Sequence, residues 1–302
     1  MTSFRISPKG PFSLHASIRF LEGFAPAAHD VAQHPNHLHL VFPVEGAWEN
    51  TVGVCIRQTS KAAVGEIFGD GGRTLVRRQV ARILSLDVDG SGFPGVGKRD
   101  HVVRALQSSY AGLRPVLFWS PYEAAAWAII GHRIRITQAA RIKQRMAQEF
   151  GKEVIIHGER LHAFPSPQCL ASMVSFPGLF ARKIEYLHGV AEAAVQGRLD
   201  AARLRQLARE DALEELKRLP GIGDFSAELI LVRGAGEPDH FSRSERRLHR
   251  AMADAYDFQA VPSIERLADI AEKWRPYRSW VSVLFRAELE DRTHAIAGST
   301  RN

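Results

Sequence analysis

The segment Glu214-Glu-Leu-Lys-Arg-Leu-Pro-Gly-Ile-Gly-Asp-Phe-Ser-Ala-Glu-Leu-Ile-Leu-Val-Arg-Gly234 constrains the fold more than any other part of the chain. Its pattern predicts a helix, a tight glycine-rich hairpin and a second helix. Gly221 and Gly223 permit backbone angles that other residues resist, and their missing side chains let a phosphate approach the amides of the second helix. Such a hairpin holds the DNA backbone without reading sequence. Taken alone, Pro-Gly-Ile-Gly fits an ordinary connection between two helices equally well.

Bulk composition agrees with a globular protein that binds a polyanion. The chain has 302 residues, of which 45% are hydrophobic, so it can bury a sizeable core in two or three domains. Its formal net charge of +7 favours polyanionic partners, because neutralising phosphates releases counterions. The excess is modest, so charge by itself is weak support for nucleic acid.

Cysteine usage and hydropathy argue against several classes of protein. Only Cys55 and Cys169 occur, without the spacing of a zinc site or of a four-cysteine iron–sulfur cluster, so neither metal nor another cofactor is expected. The N-terminus lacks a basic region followed by an apolar core, and no run of about 18 apolar residues occurs. We therefore expect a cytoplasmic, nucleoid-associated protein with no membrane contact.

Hydrophobic periodicity predicts an α+β fold. Short strands at 12–20, 38–43 and 51–58, with a helix at 73–86, indicate an N-terminal domain over 1–112 built on an antiparallel sheet. Residues 113–290 are helical in period and predict an all-α region of two helical subdomains flanking a cleft, and 291–302 resemble a tail. The predicted helices of that region are 122–131, 137–150, 167–175, 181–196, 201–206, 211–218, 226–233, 244–256, 264–273 and 278–286.

Four further motifs, taken together with the hairpin, make the interpretation of this segment more specific. They are Pro121-Tyr-Glu-Ala-Ala-Ala-Trp-Ala-Ile-Ile-Gly131, Phe164-Pro-Ser-Pro, Arg182-Lys-Ile-Glu-Tyr-Leu187 and Trp274-Arg-Pro-Tyr-Arg-Ser-Trp280. Together with the hairpin, they resemble the helix-hairpin-helix DNA glycosylase superfamily, and most closely its 3-methyladenine glycosylase II branch. The resemblance covers about residues 113–290 and implies base excision repair of alkylated duplex DNA by base flipping.

The resemblance also implies a catalytic carboxylate. In the superfamily an Asp follows a Pro-Asp-x-Phe stretch, here Pro238-Asp-His-Phe241, and the same spacing reaches Glu245. The chain thus departs from the usual Asp by one methylene. A carboxylate in the first turn of a helix, which Ser242 or Ser244 is expected to cap, suits stabilisation of an oxocarbenium-like sugar. Asp239 is a second, weaker candidate for the same role. The alternative for Glu245 is that it is an ordinary acidic residue in the first turn of a helix, with no catalytic role.

DNA contacts and a base pocket follow from the same resemblance. The hairpin residues and one side chain beyond Gly131 are expected to contact DNA: Leu219, Pro220, Gly221, Ile222, Gly223, Ser226 and Arg133. Arg133 fits a solvated surface residue equally well. The expected pocket residues are Phe225, Leu229 and His132, unless the first two are plain core residues. Where lyase-capable relatives carry a Lys, this chain has Phe225, so a monofunctional enzyme is predicted.

Two further segments suggest other functions but are weaker. Gly92-Phe-Pro-Gly-Val-Gly97-Lys-Arg99 approaches a phosphate-binding loop, yet Arg99 replaces the Ser or Thr that would bind magnesium, so a loop is predicted. His29, His34, His37 and His39 suggest a metal site, but the alternation is more typical of the solvent face of an edge strand.

The sequence therefore leaves two hypotheses. One is a monomeric, monofunctional glycosylase for 3-methyladenine-like bases in double-stranded DNA, and the other is a helix-hairpin-helix protein that binds DNA or lesions without excision or with altered specificity. They differ in whether Glu245 points into the pocket and activates chemistry.

Overall fold

The computed structural model of the protein describes residues 2–24, 26, 34 and 36–293. His29 and residues 294–302, which make up most of the predicted tail, lie outside the described residues. The α+β fold class is confirmed, with an N-terminal antiparallel sheet and a long helical region.

A four-stranded antiparallel sheet forms the N-terminal part. Its strands are β1 (Thr2–Ile6), β2 (His37–Val44), β3 (Ala47–Gln58) and β4 (Ala63–Phe68), in the order β1-β4-β3-β2. The predicted strands at 38–43 and 51–58 are confirmed as β2 and β3. One face of the sheet packs on two helices, α1 (Leu14–Glu22) and α2 (Arg73–Ile83), in a core that contains Leu40, Val54 and Val80.

The prediction of a strand at 12–20 is wrong, because this segment forms α1. The Ser13 side chain accepts a hydrogen bond from the backbone N–H of Ala16 and so caps the helix. Leu14, Ile18 and Leu21 are buried at helical spacing, which matches one amphipathic face and not the alternation of a strand.

The rest of the described chain is mainly helical, and each predicted helix of this region is found. Most ends shift by one or two residues, but the helix predicted at 167–175 ends at Ala171 and the one predicted at 278–286 extends to Thr293. Two helices precede the region, namely α3 (Pro94–Arg99) and α4 (His101–Ser109). Its helices are α5 (Pro121–Ile130), α6 (Ile136–Phe150), α7 (Pro167–Ala171), α8 (Ala181–Val195), α9 (Ala201–Gln206), α10 (Arg209–Lys217), α11 (Asp224–Leu229), α12 (Arg246–Ala255), α13 (Ile264–Glu272) and α14 (Arg278–Thr293). A π-helical turn, Ile230–Ala235, continues α11.

A β-hairpin interrupts the region that the sequence predicts to be all-α. β5 (Glu153–Ile156) pairs with β6 (Glu159–His162), and the hairpin packs on the second face of the N-terminal sheet. Gly53 makes room for it, because a Cβ there would lie 2.7 Å from the Ile156 side chain. His39 is consequently 0% exposed, so the prediction that this histidine faces solvent is wrong.

The segment at 92–99 is also not a loop. Pro94 begins α3, which packs with α4 against α12, α13 and α14 in a core that includes Val96, Val103 and Trp274. Because α3 and α4 share this core, we propose a domain boundary before α3 in place of the predicted one after residue 112.

Candidate DNA-binding hairpin and base pocket

The hairpin between α10 and α11 is held by apolar anchors and a glycine. Leu219 and Ile222 are buried in the helical core at 3% and 5% exposure, so their side chains anchor the hairpin in that core. Pro220 and Gly223 are exposed, and Gly221 is half-buried. The N-cap of α11 is Gly223, which provides no capping side chain, so the amides of the first turn stay available to a phosphate.

The two glycines have different roles. Gly221 has φ +84°, and a Cβ there would lie 2.4 Å from the ring of Tyr186, so both its backbone angle and the close packing require glycine. Gly223 has φ −98° and ψ −172°, an extended conformation open to any residue, so the prediction that it needs unusual backbone angles is wrong. Among the described residues nothing lies within 4 Å of a Cβ at Gly223, which leaves that space for a ligand.

This difference predicts opposite outcomes for two matched substitutions. Gly221→Ala is expected to lower the free energy of unfolding by about 1–3 kcal/mol, because of left-handed strain and the clash with Tyr186. Gly223→Ala is expected to change that free energy by less than about 0.5 kcal/mol while weakening duplex binding, because its methyl group occupies the space for a phosphate. Urea unfolding and duplex titration measure the two effects, and unchanged DNA affinity in Gly223→Ala would contradict this role of the hairpin.

Charges around the hairpin are partly compensated. The carboxylate of Asp224 is 80% exposed and lies 3.2 Å from Lys217 Nζ, which also contacts Glu214 at 2.6 Å. Asp224 therefore pairs with a lysine and does not cap its own helix. Arg182, which lies over the ring of Tyr186, and Arg218 are also exposed, so cations and carboxylates alternate around the hairpin.

A cleft of about 1030 Å³ begins beside the hairpin and extends between the helices. It is lined by parts of α1, the α5–α6 connection, α11, the start of α12 and α14. The structure brings the sequence-predicted residues together here, and their lining members are His132, Arg133, Phe225, Ser226, Leu229 and Glu245. Ser226 is buried at 5% exposure, so it faces the cleft and not a phosphate on the hairpin surface.

Glu245 stands at the N-terminus of α12 and faces the cleft. It is the N-cap residue, and its Oε1 accepts a hydrogen bond from the backbone N–H of Arg247 at 3.1 Å. The expectation that Ser242 or Ser244 caps this helix is therefore wrong. Arg286 Nη1 lies 4.0 Å from the same oxygen and has no hydrogen-bond partner among the described residues. A carboxylate and a cation thus lie side by side in the cleft wall.

A second carboxylate, Glu228, lies in the cleft wall and was missed by sequence reasoning. It is 8% exposed and accepts hydrogen bonds from His240 Nε2 at 3.2 Å, Ser242 Oγ at 2.5 Å and the backbone N–H of Arg243 at 3.0 Å, as well as from the N–H and hydroxyl of Ser244. Burial alone would raise its pKa, but these hydrogen bonds lower the pKa of Glu228 to about 2. Glu228 therefore holds in place the loop that positions Glu245 at the cleft.

An aromatic wall also escaped the sequence analysis. The described cleft residues include Phe20, Phe24, Phe118 and Trp127, which come from distant parts of the chain. The guanidinium of Arg233 lies 4.7 Å from the ring centre of Phe24 and 5.3 Å from that of Phe20. Burial lowers the pKa of Arg233 to about 10. The wall provides the aromatic surface that Leu229 does not.

The turn that carries His132 and Arg133 is held by hydrogen bonds from the side chain of Lys183. Lys183 Nζ donates hydrogen bonds to the carbonyls of Ile130 at 2.8 Å and His132 at 2.9 Å. Arg133 adopts φ +55°, a left-handed conformation uncommon for a residue with a side chain, and is exposed at the cleft. Burial, with the charges of Lys183 and Arg133, lowers the pKa of His132, so its imidazole is neutral.

The other candidate carboxylate, Asp239, belongs to a structural ion network. Its oxygens accept hydrogen bonds from Arg275 Nη1 at 2.9 Å and from Arg278 Nε at 2.9 Å. It is not among the described residues that line the cleft. Both oxygens are thus occupied away from the pocket.

The chain is similar to known DNA glycosylases in sequence and in fold. The chain is 23% identical over 203 residues to a DNA-3-methyladenine glycosylase of Bacillus subtilis, across 66% of this chain and 67% of that protein. It is 30% identical over 208 residues to a Mycobacterium tuberculosis protein named probable bifunctional transcriptional activator/DNA repair enzyme AlkA, across 67% of this chain and 40% of that protein. The solved 3-methyladenine DNA-glycosylase from Archaeoglobus fulgidus has a TM-score of 0.76 and 24% identity, over 96% of this chain and 99% of that chain. No protein-family model matches the chain. Within the described residues, no helix has the length and apolarity needed to cross a bilayer.

Proposed function

We propose that the chain, a member of the helix-hairpin-helix DNA glycosylase superfamily, belongs to its 3-methyladenine glycosylase II branch and hydrolyses the N-glycosidic bond of 3-methyladenine-like bases in duplex DNA. The observation that carries the proposal is the position of Glu245, a carboxylate in the wall of a cleft that starts at the DNA-binding hairpin. The work of such an enzyme is base excision repair of alkylation damage in the nucleoid.

The cleft suits each step of excision. The hairpin amides hold the phosphate backbone, and the lesion rotates into the cleft because its glycosidic bond is unreachable inside a duplex. As the base departs, positive charge develops on the sugar, and the Glu245 carboxylate stabilises this charge and orients the attacking water. The aromatic wall of Phe20, Phe24, Phe118 and Trp127 offers stacking to the flipped base.

We propose that the enzyme has no lyase activity. A Schiff base needs a lysine amine at the sugar, and no lysine is among the described residues that line the cleft. Phe225 occupies the place that a lysine takes in lyase-capable relatives, and it is 47% exposed. We further propose that the protein acts as a monomer on double-stranded DNA without an iron–sulfur cluster.

Arg133 is proposed to fill the gap that the flipped base leaves. Its exposure at the cleft and its fixed left-handed backbone place a long cationic side chain where it can contact the orphaned base or a phosphate.

Arg133→Ala is therefore expected to slow release of a lesion from duplex DNA by about 10-fold or more, since extrusion costs a few kcal/mol. Release from single-stranded DNA, where no stack must be opened, should change much less. The matched control is Arg135→Ala, since Arg135 is exposed on the same connection but does not line the cleft. Equal slowing on both substrates would contradict the role of Arg133 in base flipping.

The proposed function is tested by single-turnover release of methylated purines from alkylated duplex DNA. We expect free base with an intact abasic strand, and strand cleavage only after alkali. Binding to the duplex without release, across several alkylated bases, would overturn the proposal in favour of a protein that binds lesions without excising them.

A further inference from the structure

Nitrogen and sulfur donors meet between the N-terminal sheet and the β5–β6 hairpin, and none of them lines the cleft. His39 of β2 is paired with Cys55 of β3 in the sheet register, and Glu66 of β4 is paired with Cys55 on its other side. His157, at the turn of the hairpin, lies over them. One donor atom from each of His39, Cys55 and His157 lies within 4.8 Å of the other two.

His39 is oriented as a metal-binding histidine. Its Nδ1 lies 2.9 Å from Glu159 Oε2, which assigns the ring proton to Nδ1 and leaves the lone pair on Nε2. The residue is 0% exposed, and Nε2 has no hydrogen-bond partner among the described residues. A buried polar atom without a partner is costly. Burial lowers the pKa of His39, so the imidazole is neutral, as a ligand must be.

His157 has a similar arrangement. Its Nε2 lies 3.4 Å from Glu66 Oε2, and its ring packs edge to face on Phe68 with 5.0 Å between ring centres. Two histidines therefore each have one ring nitrogen beside a glutamate. Such a carboxylate–histidine pair orients the ring and strengthens its second nitrogen as a ligand.

Cys55 completes the donor set. It is a free thiol at 2% exposure. Burial raises its pKa, against the opposite effect of a hydrogen bond and charge from Arg57, so the thiol stays protonated when no metal is bound. A bound divalent cation displaces that proton and takes the thiolate as a ligand. The other cysteine, Cys169, is exposed and is not part of this cluster.

We propose that His39, Cys55 and His157 bind a zinc ion that fastens the β5–β6 hairpin to the N-terminal sheet. Two imidazoles and one thiolate form a donor set that favours zinc over magnesium or calcium, with solvent in the fourth position. Donors around zinc lie roughly 3.5 Å apart, so closing the site requires shifts of about 1 Å, which the partly exposed His157 can supply. This departs from the sequence analysis, which predicted no metal site from the spacing of the cysteines and the alternation of the histidines. Cys55 joins the histidines only across the sheet, where it is paired with His39.

The test uses the full chain without a histidine tag, stripped with a chelator and titrated with Zn²⁺ or Co²⁺. We expect one zinc ion per chain by elemental analysis and a rise in the melting temperature on the order of 5 °C. Co²⁺ should give a thiolate charge-transfer band in the near ultraviolet. Cys55→Ala and His157→Ala are expected to abolish all three signals.

His162→Ala is the matched control, because His162 lies on the same hairpin but outside the donor group. It should keep stoichiometric zinc. His157 is partly exposed, so its variant should fold even if Cys55→Ala does not. Absence of zinc binding in the wild-type chain would overturn the proposal. It would also be overturned if binding survived Cys55→Ala but was lost in His37→Ala, because the neighbouring group His34, His37 and His39 would then hold the ion.

Discussion

Glu245→Gln is expected to abolish excision of methylated purines while leaving the fold and the affinity for intact duplex in place. The amide oxygen of Gln can still accept the hydrogen bond from the Arg247 N–H, so the cap of α12 persists. What is lost is the negative charge that stabilises the oxocarbenium-like sugar. Removing a preorganised electrostatic contact of this kind costs roughly 10²–10³-fold in rate, and a full charge should cost at least as much.

The measurement is the single-turnover rate of base release, with duplex binding measured on the same preparations. Glu265→Gln is the matched control, because Glu265 on α13 is 73% exposed and contacts Arg243 only at 3.8 Å. It should behave as wild type. If Glu245→Gln released base at the wild-type rate, Glu245 would have no catalytic role, and Glu228 would be the next carboxylate to test.

The fold was predictable where periodicity is strong and local. β2 and β3 follow from segments rich in β-branched or apolar residues that are separated by turn residues, and the helices after Ser120 follow from apolar spacing and caps. The segment of α1 was predicted to be a strand because it contains aromatic and β-branched residues, which are common in strands. Ser13 caps the N-terminus of this segment and so favours a helix. The β5–β6 hairpin was missed because its strands are short and mostly not buried, and its packing on the far face of the sheet is a tertiary contact.

The site was predictable where function depends on linear spacing. The hairpin glycines stand out in the sequence itself, and Glu245 follows from the resemblance to the glycosylase superfamily and its spacing after Pro238-Asp-His-Phe241. The cleft contains Glu245 together with the predicted pocket residues. Glu228 was missed because an acid inside a helix is usually solvated, and its burial depends on residues 240–244 returning to it. One signal was present, since Glu228 lies three residues after Phe225 and directly before Leu229, both of which were assigned to the pocket. The aromatic wall has no such signal, because Phe20, Phe24, Phe118 and Trp127 meet only in the folded chain.

Glu228→Gln is expected to be the most destabilising conservative substitution in the site. The carboxylate accepts several hydrogen bonds, and an amide would present donors to the hydroxyl and N–H groups of Ser244. The pKa of Glu228 is lowered from 4.5 to about 2, which corresponds to about 3 kcal/mol of stability. We therefore expect the variant to lose about 3 kcal/mol at neutral pH, measured by urea unfolding against Glu265→Gln.

The pH dependence of this loss of stability shows whether it comes from the missing negative charge or from a packing defect. Because the pKa is lower in the folded chain, the contribution of Glu228 is complete above pH 4.5 and disappears as the pH falls toward 2. The difference in the free energy of unfolding between wild type and variant should therefore be about 1 kcal/mol smaller at about pH 4 than at neutral pH, since Gln does not titrate. A difference that stays constant between neutral pH and pH 4 would show a packing defect instead. Because Ser242 and Ser244 lie within the three residues before Glu245, the variant should also lower the rate of base release more than it lowers duplex affinity. That split identifies Glu228 as a positioning residue, which acts on the chemistry by holding Glu245 in the cleft.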